Sequence, residues 1–142
     1  MIDLADTQAR YIAILQRRTM RMLERELAPL GLGPGRYLYL FALYIEDGRS
    51  QQALADAVSA DKATATRALT RLESDGYVQR TPCAGDRRII RVHLTPHGRM
   101  LREVLERAAM RANDTLLATL SGDDRERLHV MLRAMTRATS DG

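Results

Sequence analysis

Thr64, Arg67, Thr70 and Arg71 fall on one side of the segment Lys62–Ser74 when it is wound at about 100° per residue, together with Ala63. Ala65, Leu69 and Leu72 fall on the other. A helix with small residues at its start and cations further along is built for close approach to a groove of double-stranded DNA. A guanidinium presents parallel donors that match O6 and N7 of guanine, so Arg67 is expected to read a base. Thr64 is placed to meet a base edge or a phosphate, with Thr70 on the same face. Lys62, Arg71 and Arg80 suit phosphates, which fix position without reading sequence.

A second cluster, Gly85-Asp86-Arg87-Arg88, sits in a polar turn between two short alternating segments. An arginine at such a tip is suited to the narrow, electronegative minor groove. Arg88 is assigned that insertion and Arg87 a backbone contact. Asp86 cannot attract phosphate; its role is to pair with Arg88 and hold the guanidinium in shape. Taken singly, cations on a helix face or an ion pair in a turn describe any solvated surface. Placed together beside one strand pair, they describe a nucleic-acid interface.

Catalytic chemistry finds little support. His93 and His97 have the gap of a zinc pair, but one falls on a strand and the other near a helix start. Cys83 is the single cysteine, and no third ligand suggests itself. His129 is isolated. No phosphate-binding glycine loop or nucleophile–base set is present. The expectation is a protein that is not an enzyme and takes no cofactor.

The elements around these clusters follow from periodicity and caps. A first helix, about Asp3 to Leu30, carries Ile12, Leu15, Met22, Leu23, Leu27 and Leu30 at helical spacing. Gly31-Leu32-Gly33-Pro34-Gly35 breaks it, and Pro34 suits the first turn of the next helix, about Pro34 to Glu46. That helix is apolar nearly all round and should be buried. Ser50 caps a short helix, about Gln51 to Val58, and Asp61 caps Lys62 to Ser74. Two capped helices joined by a brief turn form a helix-turn-helix. Period two then takes over: Tyr77–Thr81 and Ile90–Leu94 read as paired strands around the Pro82–Arg88 tip. Thr95-Pro96 starts a long helix to about Leu120, and Ser121 with Asp123 and Asp124 starts a last one.

Composition agrees. The chain has 142 residues, 45% of them apolar, enough for one folded domain. The net charge of +4 is a modest excess that suits polyanions without proving them as partners. The acidic N-terminus Met1-Ile2-Asp3-Leu4-Ala5-Asp6 lacks the pattern of a secretory signal. No apolar run reaches the roughly 20 residues of a membrane span. One cysteine fits a reducing, cytoplasmic setting.

The ordered set of motifs resembles the MarR (multiple antibiotic resistance regulator) family. Asp61-Lys62-Ala63-Thr64-Ala65-Thr66-Arg67-Ala68-Leu69-Thr70-Arg71-Leu72-Glu73 is similar to its recognition-helix signature. Asp75-Gly76-Tyr77-Val78-Gln79-Arg80 resembles the turn into its wing. Asp86-Arg87-Arg88 and Val92-His93-Leu94-Thr95-Pro96-His97-Gly98 resemble the wing and the start of the next helix. Two positions depart from the pattern: Ser59 stands where the turn often has glycine, and Gly33-Pro34-Gly35 replaces a polar cap.

The resemblance implies a mainly α fold with a small β wing. In it, residues 33–95 form the winged helix-turn-helix, and residues 1–32 and 96–142 form dimerisation helices. It implies a homodimeric, sequence-specific regulator, by default a repressor, on a palindromic operator. It further implies release by a small aromatic or phenolic ligand between the lobes, for which Tyr11, Tyr37, Phe41 and Tyr44 are aromatic candidates and Arg18 or Arg10 an anion partner. The competing reading keeps the fold but makes it a protein–protein adaptor, which needs no basic recognition face.

Overall fold

The computed structural model describes residues 1, 3–33 and 35–139. Seven α-helices and two strands follow in the order α1 (Gln8–Leu27), α2 (Tyr37–Ile45), α3 (Gln51–Ala57), α4 (Lys62–Ser74), β1 (Val78–Pro82), β2 (Ile90–Leu94), α5 (Pro96–Met100), α6 (Arg102–Leu116) and α7 (Gly122–Ala138). A 3-10 turn, Ala28–Leu30, extends α1. The chain is mainly helical with a two-stranded wing, as the resemblance implies.

Caps decide where most of these helices begin. The hydroxyl of Ser50 accepts from the Ala53 amide at 3.1 Å, and the carboxylate of Asp61 accepts from Thr64 at 2.7 Å. Thr95 and Ser121 accept from the Gly98 and Asp124 amides at 3.0 and 3.2 Å. Each satisfies an amide that the first helical turn leaves without a partner. The same chemistry corrects the first helix. Its cap is Thr7, accepting from Arg10, whereas Asp3 spends its carboxylate on the Ala5 amide at 2.9 Å. The second helix also starts later than expected, at Tyr37; the expected role of Pro34 lies outside the described residues.

The largest departure is the helix after the wing, which is broken in two at Leu101. The Gly98 carbonyl, whose partner in a continuous helix would be the Arg102 amide, accepts the Tyr44 hydroxyl at 2.7 Å. That donor comes from α2, far away in sequence. Leu101, with φ of −74° and ψ of −16°, separates α5 from α6.

The core lies between these elements. Leu27 and Leu32 join Tyr37, Leu40 and Leu43 from α2, Leu54 from α3, Leu69 and Leu72 from α4, Val78 and Val92 from the wing, and Leu105 from α6. Ala65, Leu69 and Leu72, the apolar side of α4, are fully covered in the same cluster as Leu54, with Val58 packed against it. Burying each leucine stabilises by about 2 kcal/mol. Small residues at Ala108 and Ala112 let α6 lie close to α1, where Arg111 on α6 pairs with Glu26 at 2.7 Å. By contrast, Ile12 and Leu15 of α1, Met110 of α6, and Val130, Met131, Leu132 and Met135 of α7 stay exposed, and no residue of α7 is buried.

Two tight turns flank α4. Ser59 has φ of +55°, a left-handed conformation that costs a non-glycine residue about 1 kcal/mol. Ser59, standing where the turn often has glycine, thus adopts the conformation that glycine takes freely. Gly76, with φ of +83°, takes the same region without that cost at the exit of α4.

Candidate nucleic-acid interface

The recognition face of α4 forms as its sequence dictates. Lys62, Thr64, Arg67, Thr70 and Arg71 are all exposed on the side opposite the buried Ala65, Leu69 and Leu72. Asp61 fixes the helix start, and its amide bonds from Thr64 hold the carboxyl below the usual range. Thr64 leans toward Arg67, whose guanidinium donates to its hydroxyl at 3.3 Å. Thr70 turns its hydroxyl back to the Thr66 carbonyl at 2.7 Å, so its methyl group is the part left to meet a base. Arg71 pairs with Asp75 at 3.1 Å across one turn, a surface pair that a phosphate can displace at little cost.

The wing is an antiparallel pair running from Val78 opposite Leu94 to Pro82 opposite Ile90. Alternation buries Val78, Val92 and Leu94 and leaves Gln79, Arg91 and His93 outside. The segment before α3 adds a third edge: the Val92 amide donates to the Arg49 carbonyl at 2.9 Å, and Ser50 bridges to Arg91. Asp47 anchors the far end by accepting the Leu94 amide at 2.9 Å.

At the tip, Asp86 accepts three bonds from Arg88: from the amide at 3.1 Å, from Nε at 3.0 Å and from a terminal nitrogen at 2.9 Å. Those bonds, the side-chain ones foremost, hold the Asp86 carboxyl low and raise the Arg88 guanidinium further. The Arg88 side chain nonetheless remains 90% exposed. It is oriented but uncovered. Arg87 is exposed beside it.

Arg80 departs from the expectation of a phosphate contact. Its guanidinium donates to Glu73 at 3.1 and 3.2 Å, and its amide donates to the same carboxylate at 2.7 Å. With the side chain only 21% exposed, it clamps β1 to the C-terminal half of α4 rather than facing outward. The amide bond first, then the guanidinium, lowers the Glu73 carboxyl. Glu73→Gln is expected to cost about 1 kcal/mol near neutrality, discounted for partial exposure. Because the folded carboxyl titrates below its unfolded range, the stabilisation is present above that range and fades as pH falls through the folded value. Denaturation curves of the two proteins should therefore separate at pH 7 and converge in acid; a gap independent of pH would refute the role given to the charge.

Three residues at this surface carried no site role in the sequence reading. Ser50, Gln51 and Arg91 line, with Lys62 and Arg88, a groove of about 430 Å³ between the starts of α3 and α4 and the wing. Gln51 donates to Thr66 at 2.9 Å, tying the two helices together. Only their polarity was visible beforehand; the bridge between Ser50 and Arg91 is long-range.

A second, larger cleft of about 1230 Å³ lies between α1, α2 and the α6–α7 end. Tyr37 and Phe41 line it, meeting edge to face at 5.8 Å. The Tyr37 hydroxyl is buried without a hydrogen-bond partner among the described residues, and burial first, then Glu24, pushes it up to about 12. The other aromatic candidates stand elsewhere. Tyr11 is exposed and donates to Asp6 at 2.9 Å, with Arg10 over its ring at 6.0 Å. Tyr44 bonds Gly98 and lies under Arg102 at 5.7 Å. Arg18 is exposed outside the cleft lining. Gln16, Asn113, Arg49 and His129, not anticipated, supply its polar edge. No helix among the described residues is long and apolar enough to cross a membrane.

Comparison with known proteins agrees with this geometry. The model of the MarR family matches residues 32–90. The HTH-type transcriptional regulator YybA of Bacillus subtilis is 27% identical over 128 residues, spanning 90% of this chain and 85% of its own. A MarR transcriptional regulator from Methanosarcina mazei superposes with a TM-score of 0.88 at 31% identity, over 92% of this chain and 94% of its own. A MarR variant from E. coli, solved in complex with operator DNA, superposes with a TM-score of 0.78 at 26% identity, over 89% and 91% of the two chains.

Proposed function

Since this chain belongs to the MarR family and is a DNA-binding transcriptional regulator rather than an enzyme, we propose that it acts as a homodimeric repressor on a palindromic operator. Residues 1–32 and 96–142 are the dimerisation segments in this reading, and residues 33–95 the DNA-binding lobe. Each subunit lays α4 in the major groove, with Arg67 on a guanine and Thr64 and Thr70 beside it. Lys62, Arg71 and Arg87 take phosphates, while Arg88 enters the flanking minor groove. Arg80 serves indirectly, by holding β1 on α4.

The observation that carries this reading is the tip of the wing. Asp86 orders the Arg88 guanidinium through three bonds and leaves it 90% exposed. Ordering an arginine before binding removes much of the entropy that its capture would otherwise cost. An adaptor surface gains nothing from that arrangement. The exposed apolar stripes of α1, α6 and α7 support the dimer, because a second copy covers them on both chains at once.

The cleft is the site proposed for an effector. A small aromatic or phenolic molecule fits its apolar lining. One titration tests both parts. The protein is added to labelled duplex at rising salt, with and without a panel of aromatic acids. Six phosphate contacts per dimer, from Lys62, Arg71 and Arg87 of each copy, predict a log–log slope of about −5. At least one acid is expected to release the DNA and raise the melting point of the free protein. A slope near zero would favour the adaptor; a full panel without release or thermal shift would remove the effector.

A further inference from the structure

The chain passes between its winged lobe (α2–α4 with β1 and β2) and its helical lobe (α1 and α5–α7) at two places. One is the connection between α1 and α2; the other is the step from β2 into α5. A tyrosine hydroxyl from the winged lobe stands at each. Tyr77, at the entrance to β1, donates to the Leu30 carbonyl at 3.2 Å. Tyr44, on α2, donates to the Gly98 carbonyl at 2.7 Å.

These two side chains meet the same short helix. The Tyr77 carbonyl accepts the Thr95 amide at 3.1 Å, and its ring stacks on His97 at 4.8 Å. Arg102, the first residue of α6, lies over the Tyr44 ring at 5.7 Å. Gly98 sits between them, too close to the Tyr77 carbonyl to carry a side chain. The Tyr44 bond falls just ahead of the break at Leu101. A phenol is a rigid strut: its ring is fixed by core packing, so the bond at its end fixes an angle between elements and not merely a contact.

We infer that Tyr44 and Tyr77 are positioning residues that set the tilt of the winged lobe on α1 and α6, and through it the operator half-site spacing the protein accepts. The inference rests on the paired-subunit reading above. Its scale is adequate. A tilt of about 10° at an arm of about 20 Å, shorter than the ~30 Å width of a small domain, moves a recognition helix by about 3.4 Å, one base-pair rise. Neither tyrosine is placed at the DNA surface, so neither is expected to alter contact with a single half-site.

The test uses Tyr44→Phe, Tyr77→Phe and the double variant. Each keeps the ring and its packing and deletes only the strut's terminal bond. The probes are the inverted-repeat duplex that the wild-type protein enriches from random DNA, the same duplex with one base pair added or removed at its centre, and a duplex with one half-site. Wild-type protein is expected to lose affinity on both altered spacings. In the variants that penalty should shrink, by about fivefold for the double variant, with half-site affinity unchanged. An unchanged penalty overturns the inference. So does a parallel loss on the single half-site, which reports damage inside the winged lobe; either single variant gives these readings if the double fails to fold. Wild-type protein indifferent to spacing removes the paired-subunit reading itself, and this inference with it.

Discussion

Alanine at position 98 is expected to lower the stability of the chain by about 3 kcal/mol, the upper end of what overpacking usually costs. An added methyl would overlap the Tyr77 carbonyl oxygen and press on Leu94, whose nearest side-chain atom lies at 3.4 Å. Neither neighbour can yield freely. The Tyr77 carbonyl is held by the Thr95 amide, and Leu94 is buried in the wing's inner face. Relief requires α5 to move away, which strains the Tyr44 bond to the Gly98 carbonyl. For a chain of this length the cost corresponds to a fall of about 10 °C in the melting midpoint. Thermal unfolding followed by circular dichroism measures it directly. A midpoint within a degree or two of wild type would mean that α5 does not seat on Tyr77 as described.

Arg67→Ala is expected to cost about 1–3 kcal/mol on the preferred operator and much less on random duplex, so that sequence preference relaxes. The reasoning separates reading from holding. Arg67 is exposed at mid-helix and gives one terminal nitrogen to the Thr64 hydroxyl at 3.3 Å, so its other donors are available to a base edge. Lys62 stands at the first turn next to the groove shared with Arg88 and Arg91, where a phosphate contact is natural. Lys62→Ala should therefore weaken operator and random duplex by similar factors and reduce the salt slope. Parallel titrations on the two duplexes distinguish these patterns. Equal losses on both for Arg67→Ala would transfer the reading of sequence to another residue.

What the sequence reveals and hides here follows the range of the interactions. The bounds of α4 and β2 are legible because an Asp61 cap and a strict two-residue alternation are local signals. The Asp86–Arg88 pair is legible for the same reason, since two residues in one turn settle it. The break between α5 and α6 is invisible, because the contact beside it is a hydroxyl on α2 that reaches Gly98 only after folding. Arg80 misleads in the same way: a basic residue on an alternating strand looks outward until Glu73, one element earlier, captures it. Among the cleft candidates, aromatic character correctly marks Tyr37 and Phe41 as lining residues. It cannot exclude Tyr11 and Tyr44, whose hydroxyls find Asp6 and the Gly98 carbonyl.

The account is tested most directly by selecting duplexes from a random pool with the purified protein and reading the enriched sequences. Two copies presenting α4 and an ordered Arg88 each predict an inverted repeat with half-site centres about 10 base pairs apart, flanked by A·T-rich steps where the minor groove narrows. Enrichment of a single unrepeated motif would contradict the pairing of subunits, and a pool that emerges unenriched at low salt would contradict the interface itself.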